Sequence, residues 1–266
     1  MMGVYGTIWF RAINMYGINI DHLDFATPTA LALALADRVA AELSVSVLER
    51  KRAILAVSGG KTPELFFHYL SKADIDWENI IITLVDERFV PVHHERSNEH
   101  VVRRYLLQNF AAKARFVGLY QKAITVELAA FSAASRVNTL PRPFDVVVLG
   151  MGVDGHTASF FPDADRLKQA LDLQTQALVL PLYAKSALEP RLTLTLPVIM
   201  QSRCIILHFE GFQKRDCFEV VCQNGSEMEM PVRAVLRNAH HLVQVYWSPK
   251  ENEISEAEHK TSKVDT

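Results

Sequence analysis

Apolar residues recur every fourth position along Leu31, Leu35, Val39, Leu43 and Val47, directly after Thr27-Pro28. That spacing lays one stripe down a helix, and a threonine followed by proline supplies an N-cap and a first-turn residue. A helix of about 22 residues is therefore predicted. The runs at 53–57, 80–85 and 144–149 are uninterrupted and rich in branched aliphatic residues. They read as strands covered on both faces, the mark of parallel sheets. Further strands are predicted at 178–182, 204–209 and 242–247. Helices are predicted at 62–70 behind Thr62-Pro63, at 97–110 behind Ser97-Asn98, and at 126–137, 212–221 and 231–236.

Strand followed by helix, repeated, predicts an α/β architecture: a doubly wound, mainly parallel sheet with helices on both faces. No internal repeat or Pro/Gly-rich linker divides the chain. The expected organisation is an N-terminal extension and lead-in at 1–26, one α/β domain at 27–249 and a polar tail at 250–266. In open sheets of this kind ligands bind at the carboxyl ends of the strands. The loops leaving those ends therefore hold the candidate chemistry.

Composition narrows the classes. With 266 residues, 49% hydrophobic, and a net charge of −2, the chain can bury a large core. It lacks the positive charge of a nucleic-acid binder and the patterning of a membrane surface. No apolar stretch approaches the ~20 residues of a membrane span. The first twenty residues lack a basic leader region and Arg11 interrupts their apolar run, so no secretory signal is expected and the location is cytoplasmic. Cys204, Cys217 and Cys222 form an odd set without zinc-type spacing, and read as reduced packing residues. His93-His94 with His100 is read as a loop before a helix, without metal, and Asn224-Gly225-Ser226 as a turn.

Three loops carry the chemistry. Ser58-Gly59-Gly60-Lys61-Thr62-Pro63 ends a strand and opens a helix, so several N–H groups can point at one anion near a helix N-terminus. It is not a P-loop, because the glycine that motif requires five positions before Gly60 is Leu55. A plain glycine turn is the alternative. Gly150-x-Gly152-x-x-Gly155 matches the dinucleotide fingerprint in letters only. Pro162 breaks the helix that should follow, and the next strand runs into Leu182-Tyr183-Ala184-Lys185 with no closing acid, which argues against NAD. What remains there is Asp154-Gly155-His156, an acid two residues before a histidine able to take a proton near neutrality. Between these loops, Asp86-Glu87-Arg88 puts three charges at a strand end. There Arg88 can grip a phosphate and Asp86 can bond sugar hydroxyls or a basic partner, unless the cluster is an ordinary solvated salt-bridged turn.

These residues fall in an order that resembles the 6-phosphogluconolactonase family. The run begins with Ser58-Gly59-Gly60-x-Thr62-Pro63 and continues with Asp86-Glu87-Arg88-x-Val90-Pro91 and Ser97-Asn98. Leu149 to Pro162 and Pro190-Arg191-Leu192-Thr193-Leu194-Thr195 complete it. The resemblance spans roughly 27–248; residues 1–14 have no counterpart, and Met15 offers an alternative start. It implies a Rossmann-like fold, a sugar-phosphate ligand, no metal or other cofactor and a place in the pentose phosphate pathway. Ser-Gly-Gly and Asp-Gly-His also occur in the related glucosamine-6-phosphate deaminases. Those continue after the histidine as Ile-Ala-Phe-Asn-Glu, and here Phe161 stands where that glutamate would fall.

The expected reaction is hydrolysis of 6-phospho-D-glucono-1,5-lactone. His156 activates water, Asp154 supports the imidazole, and loop N–H groups near Gly152 to His156 or Arg191 receive the oxyanion. The loop of Ser58, Gly59, Gly60 and Thr62, with Arg88 and Lys214, holds the phosphate. Lys214 sits in Gly211-Phe212-Gln213-Lys214, similar to the family's Gly-x-x-Lys after a strand, with a solvated helix lysine as the alternative. The expected partner is the small-molecule sugar phosphate alone, bound by a monomer or weak homodimer. A deaminase or isomerase of the same fold and a non-catalytic sugar-phosphate sensor are the rival readings. Ammonia release would mark the first, and binding without turnover the second.

Overall fold

The computed structural model describes residues 2–3, 6–7 and 9–255. Strands β1 (Met2–Gly3) and β2 (Gly6–Thr7) pair with each other, and β3 (Trp9–Met15) runs antiparallel to β4 (Ile18–Asp24). The predicted first helix follows as α1 (Pro28–Arg50), with Thr27 accepting the N–H of Ala30 at 3.1 Å and all five stripe residues buried. Then come β5 (Ala53–Val57), α2 (Glu64–Leu70), β6 (Ile80–Leu84) and the three-residue β7 (Asp86–Arg88). They are followed by α3 (Asn98–Tyr105), β8 (Arg115–Val117), α4 (Val126–Asn138) and β9 (Val146–Leu149). The last part comprises α5 (Leu167–Leu171), β10 (Val179–Leu182), β11 (Arg191–Leu194), α6 (Leu196–Met200), β12 (Cys204–Glu210), α7 (Phe212–Val221), α8 (Val232–Asn238) and β13 (Val243–Ser248).

The main sheet has the order β3-β4-β13-β12-β9-β5-β6-β8, parallel throughout except for β3 on β4. Successive residues of a strand face opposite sides. The ring of His208 meets Phe66 of α2 while that of Phe209 meets Phe218 of α7, so helices cover both faces of the sheet. The chain winds outward through β5, β6 and β8, then returns to place β9 on the other side of β5. The strand order reverses there, and a crevice opens at the carboxyl ends of β5 and β9.

Several boundaries differ from the expectations. Residues 18–24, inside the expected lead-in, are a strand of the main sheet with Ile18 and Ile20 fully buried; Asn19, Asp21, His22 and Asp24 leave these seven residues without a continuous apolar run. The strand at 178–182 forms, but in a separate antiparallel sheet of order β10-β11-β7. The helix expected at 97–110 ends at Tyr105, and Asn109 beyond it takes a left-handed conformation at φ 48°. Residues 62–63 do not cap α2 by a side chain: the helix begins at Glu64 with Pro63 before it and no side-chain cap bond. Of the polar tail, Glu253 accepts the N–H of Phe212 at the start of α7 at 3.1 Å, while 256–266 lie outside the described residues. Among the described residues no helix is long and apolar enough to cross a membrane.

Candidate active site

Parallel pairing brings the predicted loops to one edge. Leaving β5, residues 58–62 form one wall of a cleft of about 230 Å³ that opens to solvent; leaving β9, residues 150–158 form another. Asp86 and Arg88, just past β6, and Lys214, early in α7 after β12, line it too. The two main loops are tied directly: the Gly150 N–H donates to Ser58 Oγ at 3.1 Å, and the Ser58 N–H to the Val148 carbonyl at 2.9 Å. Lys61, Asn98, Met151 and His208 share the lining.

The histidine loop is shaped around its imidazole. His156 Nδ1 lies 2.5 Å from Asp154 Oδ1, and the same oxygen accepts the His156 backbone N–H at 3.2 Å. With the proton on Nδ1 donated to the carboxylate, Nε2 is left as the basic nitrogen. Burial works to raise the Asp154 pKa, but the hydrogen bonds and charge of His156 outweigh it and hold the carboxyl below its ordinary value. Asp154 therefore stays ionised and can stabilise an imidazolium. The Gly152 N–H donates to the His156 carbonyl at 2.9 Å. A Cβ at Gly152 would collide with the His156 ring and with Asp154, so only glycine lets the ring lie against the turn.

The other wall of the imidazole is aromatic. Phe161 lies 4.3 Å from the His156 ring, centroid to centroid, and the Arg191 guanidinium sits 5.4 Å from Phe161 on its own account. Arg191 is thus buried behind Phe161 and is not part of the cleft lining. Burial lowers its pKa, with Asp86 pulling the other way and Arg88, opposite it in the β7–β11 register, reinforcing the drop. The expected oxyanion donors fare differently from the base: the N–H groups of Gly152, Gly155 and His156 are each engaged inside the loop.

Asp86 lines the cleft with part of its carboxylate already engaged. Its Oδ2 accepts the Ser159 hydroxyl at 2.7 Å, and its carbonyl accepts the Asn98 amide at 2.9 Å. Next to it Glu87 is fully buried and accepts four donors: the N–H groups of Arg88, Asn98 and Glu99 at 2.7, 2.7 and 2.8 Å and the Ser97 hydroxyl at 3.0 Å. Burial is the larger influence, pushing the Glu87 carboxyl up to about 7 against those bonds. Arg88 donates Nη1 to the Arg96 carbonyl at 2.5 Å, which aims its guanidinium along the cleft wall. Lys214 is lowered by burial and then by the charge of Lys250, with Glu210 opposing.

Asn98, Ser159 and His208 are site residues that pattern reading passed over. Asn98 stood only as the start of a helix and part of a motif, Ser159 as one position of the histidine-loop motif with no role of its own, and His208 lies inside an apolar strand. Only the contact geometry reveals them. Among the described residues no group of three or more His, Cys, Asp or Glu is placed to hold a metal ion.

A family model described as glucosamine-6-phosphate isomerases/6-phosphogluconolactonase matches residues 26–247. A 6-phosphogluconolactonase of Rhizobium meliloti is 50% identical over 225 residues, covering 85% of this chain and 97% of that protein. One from Pseudomonas aeruginosa is 43% identical, covering 82% and 90%. The crystal structure of a 6-phosphogluconolactonase from Shewanella baltica superposes with a TM-score of 0.83 at 44% identity, covering 85% of this chain and 96% of that one.

Proposed function

Because the chain belongs to the glucosamine-6-phosphate isomerase/6-phosphogluconolactonase family, we propose that it hydrolyses 6-phospho-D-glucono-1,5-lactone to 6-phospho-D-gluconate, the lactonase step of the oxidative pentose phosphate pathway. The observation that carries this reading is the shared cleft: the glycine-rich anion cradle at 58–62 and the carboxylate-backed imidazole of His156 face one volume. In it the substrate phosphate lies against Ser58, Gly59, Gly60 and Thr62 with Arg88 and Lys214, and the C1 carbonyl lies beside His156. Nε2 of His156 takes a proton from water as the water oxygen bonds to C1. The carbonyl π electrons move onto oxygen, giving a tetrahedral oxyanion. Collapse re-forms the carbonyl and breaks the bond from C1 to the ring oxygen. The imidazolium returns its proton to that oxygen, and Asp154 holds the ring in register throughout.

Phe161 favours the lactonase over the deaminase reading. Its ring packs on His156 where the deaminases place a carboxylate for ring opening, and lactone hydrolysis needs no second acid there. A soluble cytoplasmic enzyme, acting on a small molecule as a monomer or weak homodimer, completes the proposal. The test is a coupled assay on freshly prepared lactone, corrected for spontaneous opening, with ammonia release from glucosamine 6-phosphate measured in parallel. His156→Ala should lower kcat/KM by on the order of 10²–10⁴. Full activity in that variant would overturn the mechanism, and ammonia release would move the protein to the deaminase branch.

A further inference from the structure

The cradle and the base leave different strands, yet a bridging substrate requires them at a fixed separation. A buried chain of polar groups joins them. Asn98, 2% exposed, gives its amide Nδ2 to the Asp86 carbonyl at 2.9 Å and to Asp86 Oδ1 at 3.3 Å, while its backbone N–H is held by Glu87 at 2.7 Å. Asp86 Oδ2 takes the hydroxyl of the fully buried Ser159, three residues beyond His156, at 2.7 Å. At the cradle end the Asn98 side chain packs so tightly on Gly59 that any Cβ there would overlap it. Both Nδ2 contacts fix which way the amide faces, and Asn98 Oδ1 is buried without a hydrogen-bond partner against the cradle.

We infer that Ser159 and Asn98 are positioning residues for the hydrolysis: the strap Gly59, Asn98, Asp86, Ser159 sets the distance between the phosphate cradle and the His156 imidazole. Neither residue needs to touch the reacting atoms. Their effect is on geometry, and displacement of a reacting group by about 1 Å can cost on the order of 10²-fold in rate. The inference rests on the proposed function, because it assigns the phosphate to the cradle and the carbonyl to His156.

A substrate that bridges both ends depends on the strap; one without a phosphate does not. The measurement compares 6-phosphoglucono-1,5-lactone with unphosphorylated glucono-1,5-lactone in wild type, Ser159→Ala and Ser159→Cys, with the thermal midpoint of each protein. The cysteine variant keeps near-native volume and a weak donor, and serves if the alanine variant does not fold. The expected result is a fall of about tenfold or more in kcat on the phosphorylated lactone with little change in its KM, less than about twofold change in kcat/KM on the unphosphorylated one, and a smaller loss in Ser159→Cys. An equal fall on both substrates, or none on either, would overturn the strap. A wild-type protein that does not prefer the phosphorylated lactone would overturn the functional reading, and the strap with it.

Discussion

Glu87 offers a sharp test of the electrostatics under the site. Its carboxyl is fully buried and raised from 4.5 to about 7, with desolvation the main cause. In the unfolded chain it titrates near its ordinary value, so between the two values the folded protein holds a proton that the unfolded one has lost. The stabilisation from this group is therefore fully present below about 4.5 and is lost as pH rises through about 7. Integrating the binding of that one proton, wild type should lose about 2–3 kcal/mol of stability from Glu87 between about pH 5 and pH 8. Glu87→Gln cannot titrate. It costs stability at every pH, because an amide nitrogen replaces an oxygen that accepts two donors, but its profile should lack this slope. Urea melts of both proteins across that range give the difference directly, since other titrating groups are common to the two. Parallel profiles, within about 0.5 kcal/mol, would show that the carboxyl stays ionised through neutrality and that its four donors outweigh its burial.

Other outcomes follow from the same geometry. Asp154→Asn leaves the loop bonds nearly intact but removes the charge behind the imidazole, and should cut kcat by about 10²-fold or more with a smaller effect on KM, as read by steady-state kinetics. Gly152→Ala drives a methyl group into the His156 ring and should lower kcat more than thermal stability; a fully active variant would refute the packing argument. Lys214→Met should raise KM for the phosphorylated lactone, leave the unphosphorylated one unaffected, and flatten the dependence of KM on salt concentration.

Much of the fold was legible because its signals are local. The stripe from Leu31 to Val47 and the runs at 53–57 and 80–85 are properties of contiguous residues, and the elements they predict form with nearly those bounds. The carboxyl-end rule then placed Ser58, Arg88 and His156 together without any distance. What stayed hidden depends on partners far along the chain. β7 is three charged residues, strand-like only because Arg191 to Thr193 pairs with it. β4 alternates with polar residues, and its identity as a sheet member comes from β13. Arg191, one of two alternatives for receiving the oxyanion, is buried beside Phe161; nothing in the segment 190–195 says which way the guanidinium points. Asp86 was read as a partner for sugar hydroxyls or a basic group, and its tie to Ser159, 73 positions later, could not be seen in the sequence.

The strand order also makes the molecule a clasp. β9, β12 and β13 come late in the chain but sit between β4 on one side and β5, β6 and β8 on the other, all of which come early. A chain nicked in the exposed segment around Gln121 to Ile124 would carry the anion cradle on one fragment and the imidazole on the other. Neither piece alone could turn over substrate. Catalysis recovered on mixing would report the moment at which the later fragment slides between the two arms of the earlier one, which makes enzymatic turnover a direct readout of sheet assembly.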